Sequence, residues 1–154
     1  METISVITVT LNCEDTIEKT IKSVIGQTYK NIDFIIIDGG STDNTLKIID
    51  KYKQNLSYFI SESDSGIYDA MNKGINASKG NGMIFLNAGD YFVGDVFENI
   101  KIPSLIPVRY KSFIGKSAVA SLKNPYFGMP YCHQGIVFNR NDIQYNQSYK
   151  ISSD

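Results

Sequence analysis

The sequence predicts an α/β fold with a mostly parallel central sheet and helices on both faces. Three observations predict it. Short runs rich in Ile, Val and Phe recur four times before residue 87, each bounded by turn residues. Between them, apolar residues repeat at helical spacing. Each run also gives way to an Asn, Asp or Glu at its carboxyl end. Strands alternating with helices pack as parallel strands joined by crossovers.

The elements follow in order. Residues 5–11 (SVITVTL) are β-branched and apolar, as a strand covered on both faces should be. Polar residues 12–15 start a helix in which Ile17, Ile21, Val24 and Ile25 recur, and Gly26 stops it. Residues 32–37 (IDFIII) form the most apolar strand and run into Asp38-Gly39-Gly40-Ser41-Thr42-Asp43. Ser41 or Thr42 can cap a helix carrying Leu46, Ile48, Ile49 and Tyr52. Residues 56–60 are a third strand, and residues 63–66 a turn. Ile67, Met71 and Ile75 lie four apart on one helix stripe, read as core. Gly80-Asn81-Gly82 breaks that helix, and residues 83–86 (MIFL) form a fourth strand ending at Asn87-Ala88-Gly89-Asp90. The second half holds all four prolines and is less regular, with short strands expected at 112–114 and 135–138. No linker divides the chain, so one domain is expected over residues 1–154, with a ligand-binding half at 1–92 and a second half at 93–154. The polar end, residues 144–154, lacks a terminal helix and suggests a C-terminally truncated chain.

Composition narrows the function. The 154 residues carry a net charge of −1, with 42% apolar and 20% charged residues, as in an ordinary globular domain. That balance argues against nucleic acid as a partner. No apolar run approaches the roughly 18 residues of a membrane span. The amino-terminal strand pattern has no basic leader, and Cys13 and Cys132 lack metal-ligand spacing, so a cytoplasmic, reducing location is expected.

In open parallel sheets, ligands bind outside the carboxyl ends of the strands. Asn12, Asp38 to Gly40, Glu62 to Asp64 and Asn87 to Asp90 should therefore share one rim. Asp90 suits a hard divalent cation that also takes phosphate oxygens, Mg²⁺ or Mn²⁺; the alternative is a capping aspartate. Asp38 can accept a hydrogen bond from a base or ribose, or can close an Asx turn over Gly39 and Gly40. The first turn, Asn12-Cys13-Glu14-Asp15, is not GxGxxG, so a dinucleotide cradle is missing. His133 is the single histidine, and no GxSxG elbow accompanies it.

Ordered motifs then carry a resemblance. Residues 5–12 (SVITVTLN), 23–29 (SVIGQTY), 36–45 (IIDGGSTDNT), 62–74 (ESDSGIYDAMNKG) and 85–90 (FLNAGD) resemble, in sequence order, segments of family 2 glycosyltransferases with the GT-A fold. Residues 130–140 (PYCHQGIVFNR) resemble an acceptor-side segment of members that build bacterial surface polysaccharides. The resemblance implies inverting transfer of a sugar from a nucleotide sugar, usually a UDP-sugar, to an acceptor hydroxyl on a saccharide or lipid-linked saccharide. By position it implies Thr10, Asn12, Asp38 and Asp64 at the nucleotide sugar, and Asp90 on Mg²⁺ or Mn²⁺ with Asn87 beside it. It places His133 and Gln134 at the acceptor and makes Asp154 the catalytic base. It also implies peripheral association of the full-length protein at the inner face of the membrane. Two departures stand out: Asn87-Ala88-Gly89-Asp90 replaces an acidic D-x-D-D-like motif, and Met71 replaces an arginine. Phosphate charge must then be met by the cation or by another base such as Lys73. The rival readings are a catalytically silent nucleotide-sugar-binding module and, less favoured, a nucleotidyltransferase.

Overall fold

β1 (Ile4–Thr10) is buried along its whole length and forms the middle of the sheet. A computed structural model describes residues 2–98, 100–106, 109–111, 117–119 and 135–142 of the protein. On one side β1 pairs in parallel with β2 (Ile32–Asp38), Thr10 lying opposite Asp38. On the other it pairs in parallel with β4 (Gly82–Phe85). β3 (Tyr58–Ser61) adds to β2, again in parallel. The order of the six-stranded sheet is β3-β2-β1-β4-β8-β5. β8 (Ile136–Asn139) runs antiparallel to β4, and β5 (Ser104–Leu105) antiparallel to β8. β6 (Arg109–Lys111) and β7 (Ser117–Val119) form a separate antiparallel pair.

The period-2 pattern of the strands sends alternate side chains to opposite faces. Val6, Phe34, Ile36 and Ile84 meet Ile17, Ile21 and Val24 of α1 (Ile17–Ile25) and Ile49 of α2 (Thr45–Asp50). Ile7, Val9, Ile35, Ile37, Met83 and Phe85 meet Ala70 and Met71 of α3 (Ile67–Ala77). Helices therefore cover both faces, as the alternation predicts. At Gly74 of α3 a Cβ would lie 2.3 Å from Ile7 Cγ2, so the helix backbone seats directly on the strand.

Three local expectations change. Neither Ser41 nor Thr42 caps α2, which starts at Thr45 after Asn44; Ser41 is held instead by Asp38 and by the amide of Asn12. Ile67 is 45% exposed rather than core, because it opens α3 where the helix overhangs the sheet end. Ile25 is likewise exposed at the last position of α1. The strand expected at 135–138 is present as β8, and the one at 112–114 lies outside the described residues.

Candidate functional site

The parallel register brings the carboxyl ends of β1, β2, β3 and β4 to one rim, and polar side chains bind their loops together. Past β1, Asn12 takes φ +50, a conformation tolerated by Asn, and its Oδ1 accepts from the Thr42 amide at 2.8 Å. The Asn12 amide donates to Ser41 Oγ at 2.8 Å, and the Cys13 amide to Thr45 Oγ1 at 2.8 Å. Asp43 accepts from the amides of Glu14 and Thr45. Burial raises the pKa of Asp43, but the hydroxyl and amide of Thr45 outweigh it and hold the carboxyl below its ordinary value. The loops after β1 and β2 are thus one unit.

Asp38 ends β2 with no exposed surface. Its Oδ2 accepts from the Gly40 amide at 3.0 Å, the Ser41 amide at 2.8 Å and Ser61 Oγ at 2.7 Å, while Oδ1 accepts from Ser41 Oγ. This is the Asx-turn alternative realised, with Gly40 at φ +89. The Glu62 amide donates to the Asp38 carbonyl at 3.0 Å, which carries the third loop to the same place. Asp64 then lies against Gly39: a Cβ there would sit 2.7 Å from Asp64 Oδ2 and 3.6 Å from Leu11 Cδ1. Leu11 is 53% exposed, and the Asp64 carboxylate fills the space that a side chain at position 39 would take. Leu11 was not singled out from the sequence, whereas Gly39 was placed on the rim with Asp38 and Gly40.

Lys73 donates to Glu62 at 2.8 Å and meets Asp69 at 3.3 Å. Its hydrogen bond to Glu62 raises its pKa, as does Asp69. Lys73 is thus committed to holding the Glu62–Asp64 loop on α3, rather than standing ready for a phosphate as the sequence reading offered.

On the other side of β1, the amides of Leu86 and Ala88 continue the pairing of β4 with the carbonyls of Ile7 and Val9. The chain then turns at Gly89 (φ +101), with the Asp90 amide donating to the Asn87 carbonyl at 3.0 Å. Asp90 itself is exposed. Among the described residues, Asn87 Oδ1 is buried without a hydrogen-bond partner, as is Thr10 Oγ1 at the end of β1. No group of three or more His, Cys, Asp or Glu suited to a metal ion occurs among the described residues. A single exposed carboxylate does not make a protein-only cage. It fits a cation that arrives on phosphate oxygens, since Mg²⁺ is commonly held by one or two carboxylates plus phosphates. Asp38 ends β2 and Asp90 lies in the turn that follows β4, on either side of β1 at one rim, Asp38 buried within its turn and Asp90 exposed. His133, Gln134 and Asp154 lie outside the described residues.

Residues 5–101 match the family Glycosyl transferase family 2. The chain belongs to glycosyltransferase family 2. It is 37% identical over 128 residues to the uncharacterized glycosyltransferase MT1564 of Mycobacterium tuberculosis, covering 82% of this chain and 45% of that protein. It is 40% identical to the UDP-Glc:alpha-D-GlcNAc-diphosphoundecaprenol beta-1,3-glucosyltransferase WfaP of Escherichia coli, covering 64% of this chain and 40% of that one. Among solved structures, S. aureus TarS 1-349 in complex with UDP aligns with a TM-score of 0.59 at 26% identity, over 63% of this chain and 30% of that one. The fold is GT-A, and this family 2 chain spans under half the length of these relatives.

Proposed function

We propose that this family 2 chain transfers a sugar, with inversion, from a UDP-sugar to an acceptor hydroxyl during assembly of a surface polysaccharide. The observation that carries the reading is the shared rim: exposed Leu11 and the Asp64 carboxylate packed on Gly39 on one side of β1, and the Asp90 turn on the other. A flat base fits against the Leu11 side chain, where Asp64 offers an acceptor for its N–H. Asp38 serves by fixing the turn that follows β2, and Asn12 by locking the neighbouring loop. Thr10 and Asn87 each bring an unsatisfied oxygen to the same end of the sheet. Asp90 would hold Mg²⁺ or Mn²⁺. When bound, the cation neutralises charge on the diphosphate leaving group, the electrostatic assistance that dominates many such transfers. A UDP donor is supported by the names of the relatives: one is a UDP-Glc glucosyltransferase and one was solved with UDP. The glucosyltransferase acts on a lipid-diphosphate-linked sugar, which supports a lipid-linked saccharide acceptor here. His133 and Gln134 are proposed for the acceptor, and Asp154 as the base that takes the hydroxyl proton.

Calorimetry tests the donor half of this reading. UDP should bind, and Mn²⁺ should tighten binding. Asp90→Ala should erase the Mn²⁺ increment, about tenfold or more, the size of one charge-assisted contact of roughly 1.5–3 kcal/mol. No UDP affinity with Mn²⁺ present would overturn it.

A second reading is that of a nucleotide-sugar-binding module that does not transfer, which the donor-side segments 5–12, 36–45 and 85–90 support equally. UDP binding without release of UDP from any UDP-sugar, in the presence of saccharide acceptors, would select it.

A further inference from the structure

No strand among the described residues pairs with the segment 89–96 around the Asp90 turn, and side chains of α1 and of Gln27 just past it bind its backbone instead. Thr20 Oγ1 accepts from the Gly89 amide at 3.1 Å and donates to the Asp90 carbonyl at 2.7 Å. Ser23 Oγ accepts from the Phe92 amide at 3.0 Å. Gln27 Nε2 donates to the Gly94 carbonyl at 2.8 Å, and Oε1 accepts from the Val96 amide at 2.9 Å, so one carboxamide replaces a pairing strand. The Thr28 amide donates to Asp95 Oδ1 at 2.8 Å, and Tyr29 packs on buried Phe97. Thr20 and Ser23 are three apart, so they fall on one side of α1, and Gln27 follows just past the end of the helix. Thr20 is fully buried and Gln27 is 6% exposed.

Burying hydroxyl and carboxamide groups is costly unless each is hydrogen-bonded, and apolar residues would pack the same interface at lower cost. What the polar stripe adds is register. Together with the bond from the Asp90 amide to the Asn87 carbonyl, Thr20 fixes the backbone before and after Asp90.

We propose that Thr20, Ser23 and Gln27 are positioning residues for Asp90: the polar side chains of α1 and of the residue past its end set the turn so that its carboxylate meets a cation carried by the nucleotide diphosphate. This assigns a task to the sequence segment 23–29, and it rests on the reading of Asp90 as the cation ligand. A part in packing alone would affect stability without singling out the cation.

The test uses the 154-residue chain. UDP is titrated calorimetrically with and without Mn²⁺ into the wild type, Thr20→Val, Thr20→Ser and Gln27→Glu, with folding followed by circular dichroism. The readout is the ratio of the two UDP dissociation constants. The wild-type ratio is expected to be tenfold or more. Thr20→Val, which keeps the shape and loses the hydroxyl, should lower it at least fivefold while metal-free UDP affinity stays within twofold. Thr20→Ser should restore it. Gln27→Glu, which loses the donor to Gly94, should lower it in the same way and stands in if Thr20→Val fails to fold. An unchanged ratio in the folded variants, or an equal loss with and without Mn²⁺, would overturn the proposal. A wild type that binds UDP without any Mn²⁺ effect would instead remove the cation reading of Asp90, and this proposal with it.

Discussion

Asp38 and Gly39 are adjacent, yet the structure gives them opposite tasks. Asp38 is turned inward and accepts from Gly40, Ser41 and Ser61, whereas Gly39, lacking a side chain, leaves room for the Asp64 carboxylate beside Leu11. Gly39→Ala would place a methyl 2.7 Å from Asp64 Oδ2, the far end of a side chain that can move. UDP affinity is therefore expected to fall several-fold while the urea midpoint barely changes, and paired calorimetry and urea unfolding would check both. Gly74 is the contrasting case. Its missing Cβ would meet Ile7 Cγ2 at 2.3 Å inside a packed core. Gly74→Ala should cost about 1–3 kcal/mol or more, as overpacking does, read as a lower urea midpoint. Neither distinction is visible in the sequence, where both positions are simply glycine; what differs is the side chain that another element brings against each.

Among the elements, α1 and α3 show which features a pattern reveals. Ile17, Ile21 and Val24 are buried as their spacing predicts, because that stripe points into the sheet wherever the helix overlies it. The same rule misses Ile25 and Ile67, which stand at helix ends. The polar stripe of α1 escapes an apolar pattern search altogether, since its partners are backbone groups about 70 residues away. The Lys73 clasp on α3 also yields a pH prediction. The Ser65 amide, with Lys73, holds the pKa of Asp69 below its ordinary 3.8, against the opposing effect of burial. A depressed folded pKa contributes stability that is present above the unfolded value and lost as pH falls through the folded one. Chain stability should therefore decline as pH drops below about 3.8, and Asp69→Asn should flatten part of that slope in urea titrations from pH 6 to pH 2.5. Asp43, also depressed, should respond in the same direction.

At the scale of the whole molecule, the alternation of apolar runs and helical stripes by itself determined a parallel α/β sheet. Parallel strands all end on the same side, so the sequence also determined that the loops after β1, β2, β3 and β4 would share a rim. The antiparallel β8 and β5 could not be read as part of that sheet, because a short strand carries no mark of its direction or partner. Only the tertiary structure decided which acids on the rim are enclosed and which are presented. That choice rests on hydrogen bonds between loops roughly 30 residues apart, such as Asn12 with Thr42 and Glu14 with Asn44, and on side chains that reach from a helix to a passing backbone. Residue spacing sets the order of such groups along the chain, while their partners are fixed by the packing that brings the loops together.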